Sequence, residues 1–204
     1  MTETNPNAQL EAFCDGVFAI ALTLLIIEIK LPATDVLNDS GDVWKALGRI
    51  APAIFAFVLS FVIILITWVN HHGMLKQINK SSAAFMYANG LLLLSVVFLP
   101  FPTALMGEHL LTNHAAPSVV LFNAVTVIQA LGWVLLTTTA IRGGLARDDA
   151  AIVVLQGGRR NGYVALAGYA FFALLALWLP VSVAIIITLV WGVWLVFSVR
   201  MRHS

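Results

Sequence analysis

Three polar residues sit where a membrane anchor would avoid them. The segment Ala12–Leu31 reads AFCDGVFAIALTLLIIEIKL, about 20 residues and long enough to cross a bilayer core of roughly 30 Å as a helix. It carries Asp15 near its start, Thr23 in its middle and Glu28 near its end. An acid at bilayer-centre depth costs roughly 2.5–3.5 kcal/mol, less toward the interface. A carboxylate kept in such a helix therefore faces protein or a water-filled path on one side. Further along, Trp68, His71 and His72 fall in WVNHH, and Asn89 opens a second apolar run, NGLLLLSVVF. An indole N–H donates, while imidazole and carboxamide groups both donate and accept, so these side chains are suited to satisfying a carboxylate in an apolar setting. A metal or haem site at His71–His72 is disfavoured, because adjacent helical residues diverge by about 100°. An interfacial pair of histidines is the plainer alternative.

The elements that position these groups follow from composition. The chain has 204 residues, of which 60% are hydrophobic and 10% charged, with a mean hydropathy of +0.94. An ordinary soluble domain has about 25% charged residues, so this chain is expected to be an all-α integral membrane protein. A net charge of +1 offers no basic face for nucleic acid. The single cysteine, Cys14, excludes an intrachain disulfide and a cysteine-based metal cluster. Glu3, Asn5, Asn7 and Glu11 precede the first apolar run without a basic cluster, unlike a cleavable leader. Six membrane helices are expected, at approximately 12–31, 46–70, 84–106, 118–141, 163–179 and 181–199, forming one domain over 1–204. Pro100 and Pro102 are expected to kink or end the outer part of the third, and Pro180 to enforce a tight turn between the last two. The stretch 148–155 reads as a short interfacial helix.

Lysine and arginine placement orients the bundle. Lys76 and Lys80, then Arg142, Arg147, Arg159 and Arg160, then Arg200 and Arg202 all fall in alternate connections or the C-terminal tail. The intervening connections carry Asp35, Asp39, Asp42 and Glu108, with bases only at the margins of the first, at Lys30, Lys45 and Arg49. The positive-inside rule puts both termini in the cytoplasm.

No glycine-rich phosphate loop, HExxH pair, GxSxG elbow or TVGYG filter is present, which argues against an enzyme and against a carbonyl-lined potassium filter. No metal or organic cofactor is expected. On a helical wheel, Gly16, Ile20, Thr23 and Ile27 form a stripe roughly 60° wide with Leu24 at its edge, and Asp15 lies about 110° from its middle. Periodicity alone leaves this stripe open as lipid-facing surface or bundle core. It equally leaves Asp15 open as an interfacial acid favoured by the helix dipole.

QLEAFCDGVFAIALTLLIIEIKLP resembles the first-helix signature of the transmembrane protein 175 family, the lysosomal potassium channels and their prokaryotic relatives. That signature reads Arg-x-x-x-Phe-Ser-Asp before a long apolar helix. WVNHH at 68–72 and NGLLLLSVVFLPFPTAL at 89–105 fit as well, so the resemblance covers roughly the first 110 residues. Phe13 and Asp15 keep the motif, Cys14 replaces its serine, and Gln9 replaces its basic residue. The resemblance implies a homotetrameric, potassium-selective or potassium-preferring channel for monovalent cations, conducting passively through a pore lined by helix 1 and constricted at Ile20, Thr23 or Leu24, and Ile27. It implies that Asp15, Trp68, His71 or His72, and Asn89 form a polar clasp holding the pore helix rather than ligands for the ion. A prokaryotic plasma membrane is the expected location, with lipid as the surrounding partner. A small-solute or proton-coupled secondary transporter is the alternative from another class, and a non-transporting scaffold a third.

Overall fold

A computed structural model describes residues 7–30 and 40–200, the side chains of residues 40 and 196–200 excepted. Leu31, the acidic positions Asp35 and Asp39, and Arg202 lie outside the described residues. Eight helices are described: α1 Ala8–Ile27, α2 Ser40–Arg49, α3 Ala51–Leu75, α4 Ala83–Phe98, α5 Pro100–His109, α6 Ala115–Arg142, α7 Asp149–Leu175 and α8 Pro180–Arg200. Four stretches are long and apolar enough to cross a bilayer: α1, α3, α4 with α5 taken together (83–109), and α6.

The boundaries depart from the sequence expectation in four places. α1 runs from Ala8 to Ile27, four residues earlier at each end than the expected 12–31, because the helix already starts in the polar stretch and is capped at Glu28. The second apolar run breaks at Ile50, with Pro at the first turn of α3, where a missing N–H costs nothing. The residues before it form the separate, amphipathic α2, on which Trp44 is exposed and Ala46 buried. The same run continues past Asn70 to Leu75, so His71 and His72 lie inside α3 rather than closing it. The expected interfacial helix at 148–155 and the helix expected at 163–179 are one continuous α7, ending four residues earlier at Leu175. Asp148 starts it, its Oδ1 accepting from the Ala151 N–H at 2.7 Å. That backbone hydrogen bond holds the Asp148 carboxyl below its ordinary pKa. Arg159 and Arg160, expected in a connection, are helical residues of α7. Leu99 separates α4 from α5 just before Pro100, and Pro180 opens α8 after a four-residue turn, as the prolines require.

α6 is the spine, packing on α4, α5, α7 and α8. Its Gly132 sits where an added Cβ would come within 2.9 Å of the Leu92 Cα, so glycine sets the α4–α6 separation. Gly107 plays the same part between α5 and α3, with the Ala53 Cα 2.7 Å from such a Cβ. Phe18, Leu25, Ile63, Ile64, Val96, Leu99 and Phe122 fill one apolar cluster among α1, α3, α4 and α6. Phe85, Leu92, Leu136 and Leu155 fill a second, toward the turns that follow α3 and α6.

Those two turns meet. Asn79 N–H donates to the Leu145 carbonyl at 3.1 Å, and Arg147 N–H to the Gln77 carbonyl at 2.8 Å. Asn7, at the start of α1, donates from Nδ2 to the Ile78 carbonyl at 3.3 Å. The N-terminal end of α1 and the two lysine- and arginine-bearing turns therefore share one end of the bundle.

Candidate functional site: the two faces of α1

α1 is covered on one side only. Cys14, Phe18, Ala21 and Leu25 are fully buried against α3 and α4. Spaced at i, i+4, i+7 and i+11, they form a stripe centred about 160–200° from that of Gly16, Ile20, Thr23 and Ile27. This second stripe is bare: Ile20 is 59% exposed, Ile27 69% and Leu24 39%, with Gly16 and Thr23 also exposed. Leu22 is half-buried against the core. Phe13, the aromatic residue that keeps the motif, is exposed, whereas Cys14 turns inward.

The Thr23 hydroxyl donates to the Ile20 carbonyl at 2.8 Å. Its only hydrogen is thus committed to its own helix, and what it presents outward is oxygen lone pairs. An acceptor facing away from the core between two isoleucines suits a cation and not an anion.

The polar residues divide into two sets. Asp15 Oδ1 accepts from the Trp68 indole at 2.8 Å, and one turn earlier Glu11 Oε1 lies 3.0 Å from His72 Nδ1. The latter is a close contact without hydrogen-bond alignment. Carboxylates four apart on α1 thus face ring nitrogens four apart on α3, giving two rungs about 6 Å apart along the helices. Deeper in, His71 Nε2 and Asn89 Oδ1 are 2.7 Å apart, and Asn89 Nδ2 donates to Cys14 Sγ at 3.1 Å. His71, Asn89 and Cys14 are all buried, joining α3, α4 and α1. Phe18 caps this set, its ring centroid 5.4 Å from that of His71. With Asn89 Nδ2 spent on sulfur, its Oδ1 faces the imidazole, which therefore carries its hydrogen on Nε2.

Of the polar residues singled out from sequence, Asp15 pairs with Trp68 and His71 with Asn89, while His72 turns to a different acid. Sequence reasoning missed Glu11, which looked like part of a polar tail. Glu11, Asp15 and His72 each place one potential ligand atom within 4.8 Å of the others. Asp15 already meets Trp68, and Glu11 and His72 meet each other. Two further buried pairs escaped notice: Ser60 with Thr103 at 2.6 Å, and Gln129 donating to Thr67 at 2.6 Å. Hydroxyl and amide residues inside otherwise apolar runs were the available signal. In α6 the consecutive threonines Thr137, Thr138 and Thr139 include two, Thr137 and Thr139, that bond back to carbonyls of their own helix, and Thr137 is buried.

Comparison with known proteins places this arrangement. Residues 9–100 match the family model described as "Endosomal/lysosomal potassium channel TMEM175". A potassium channel of Chamaesiphon minutus is 46% identical over 113 residues, 55% of each chain. One of Streptomyces collinus is 41% identical over 140 residues, 66% of each. These alignments span about half to two thirds of the relatives' own lengths. The crystal structure of a lysosomal potassium-selective channel TMEM175 homolog from Chamaesiphon minutus superposes with a TM-score of 0.77 at 31% identity. That superposition covers 93% of this chain and 98% of the other. The motif at Phe13–Asp15, the bare stripe behind it and the fold agree: the chain belongs to the TMEM175 family.

Proposed function

We propose that the protein is a homotetrameric, potassium-preferring cation channel and not an enzyme. Six crossings per subunit (α1, α3, α4–α5, α6, α7 and α8) surround four copies of α1 at the axis. The single observation that carries this reading is the opposition of the two α1 faces. One apolar face is fully used inside the protomer, and the other, equally long, is bare and interrupted only by Gly16 and Thr23. A closed fourfold ring is the simplest arrangement that gives such a face to a pore. Ile20 and Ile27, with Leu24 at the edge, form the hydrophobic neck, and Thr23 contributes a ring of oxygen acceptors between them. Asp15, Trp68, His71, His72 and Asn89 hold α1 to α3 and α4, and stay off the axis. The permeant ion is potassium, with no other cofactor, and lipid surrounds the tetramer in a prokaryotic plasma membrane. The shared end of α1 and the basic turns supports a cytoplasmic N-terminus by the positive-inside rule, and an even number of crossings returns the C-terminus to that side. The relatives named as potassium channels support the ion.

Passive conduction predicts an ohmic current from purified protein in a planar bilayer. Under a potassium/sodium gradient its reversal potential lies on the potassium side of zero. Saturable flux that requires a counter-substrate or a proton gradient would replace the channel with a secondary transporter.

A further inference from the structure

The two rungs between α1 and α3 bring three metal-ligand side chains to one point. One potential donor atom each from Glu11, Asp15 and His72 lies within 4.8 Å of the other two. In a tetrahedral zinc site, with bonds of about 2.0–2.2 Å, neighbouring donor atoms stand about 3.3–3.5 Å apart. Glu11 Oε1 and His72 Nδ1, at 3.0 Å, are close to that spacing already. Bringing Asp15 in asks for roughly 1.5 Å at most, within reach of side-chain torsions alone.

The cluster is short of a cation. α1 carries two acids, Glu11 and Asp15, and no lysine or arginine, and Gln9 stands where the family motif has a base. Among the described residues no lysine or arginine pairs with Asp15, whose Oδ1 takes the neutral Trp68 N–H. His72 Nδ1 makes no hydrogen bond although Glu11 Oε1 is 3.0 Å away, a contact that a bridging cation satisfies. The Glu11 and His72 side chains are 19% and 33% exposed, so an ion reaches the cluster from solvent and enters between two atoms that both become its ligands.

Trp68 supplies the outer support. Its N–H takes one lone pair of the Asp15 carboxylate, which keeps acceptor capacity for an ion. Its ring centroid lies 6.0 Å from that of His72, with the planes at 31°, and so steadies the imidazole. Hydrogen bonds and packing of this kind orient the ligands of metal sites.

We propose that Glu11, Asp15 and His72 form a binding site for a divalent transition-metal ion of the zinc type, with water completing its coordination. One imidazole and two carboxylates are a donor set that Zn²⁺ accepts, whereas Ca²⁺ and Mg²⁺ take shells of oxygen ligands. The two carboxylates also balance a divalent charge. The bound ion ties α1 to α3 on the side away from the bare face, and is distinct from the conducted ion.

The test is calorimetric titration of Zn²⁺ into the whole protein, purified in detergent and stripped of metal with a chelator. Saturable binding of one ion per protomer is expected, with a rise in the thermal unfolding midpoint. Mg²⁺ and Ca²⁺ should bind at least about tenfold more weakly. Glu11→Gln and His72→Gln should each weaken Zn²⁺ binding at least about tenfold. His109→Gln should leave it unchanged, although His109 and His114 form a second histidine pair, with ring centroids 6.1 Å apart. Absence of saturable binding, equal affinity for Mg²⁺, or binding lost in His109→Gln and kept in His72→Gln would overturn the proposal. If His72→Gln misfolds, X-ray absorption at the zinc edge of the unaltered protein decides. It should show one imidazole among oxygen ligands, and two imidazoles or a sulfur ligand would overturn the site. Because the readout is metal binding and not current, its failure leaves the channel reading where it stands.

Discussion

Ile20→Asn is expected to raise single-channel conductance several-fold and to move the reversal potential toward zero under a potassium/sodium gradient. An aliphatic ring resists ions by width and dewetting, and four carboxamides at that level would hold water in the neck. Ile20 is exposed in the protomer and touches no polar network, so the substitution leaves the fold of α1 against α3 and α4 intact. Thr23→Val provides the complement. It keeps the shape and removes the outward lone pairs, so potassium preference or conductance should fall while the tetramer persists. Ile20→Asn with wild-type conductance and reversal potential would contradict a hydrophobic neck at this level.

The second large effect is expected from Asn89→Leu, and it falls on assembly instead of selectivity. Asn89 bonds both His71 and Cys14, and all three are buried. Leucine there strands an imidazole nitrogen and a thiol between three helices. At about 1–3 kcal/mol for each buried group left unsatisfied, the loss is a large fraction of a typical folding free energy. Thermal unfolding in detergent and size-exclusion chromatography should show a lowered midpoint and loss of the oligomer. Asp15→Asn should act in the same direction and more mildly, because an amide oxygen can still accept from Trp68 while only the charge is lost. If Asp15→Asn gave a stable oligomer that no longer distinguished potassium from sodium, the carboxylate would belong to the ion path and not to the clasp.

The stripe of α1 was legible as a row by its period, but period left open whether the row faces lipid or core; that it is bare in the protomer needed the fold. The membrane class was legible from hydropathy. Helix boundaries were not, because hydropathy reports solvation while boundaries are set by hydrogen bonding. Asp148 caps α7 well ahead of the arginine pair, so Arg159 and Arg160, charged enough to read as a loop, are helical. The break at Ile50 is equally invisible to hydropathy and is marked instead by the proline that follows. The partners of the clasp needed the fold. Cys14 and Asn89 are 75 positions apart, and which of two neighbouring histidines faces inward depends on helix rotation. His71 turns to Asn89 in the core and His72 to Glu11 at the edge.

The central claim, that the bare face of α1 lines the ion path, is tested most directly by modifying it during conduction. Cysteine is placed at Ile20 or, as the control, at half-buried Leu22, in a Cys14→Ser background that keeps an acceptor for Asn89. Potassium current through the purified protein is then recorded before and after a water-soluble, positively charged thiol reagent. The account predicts that current through Ile20→Cys channels is blocked and that Leu22→Cys channels are unaffected. Block at Leu22→Cys with no effect at Ile20→Cys would place the opposite face of α1 in the pore and contradict it.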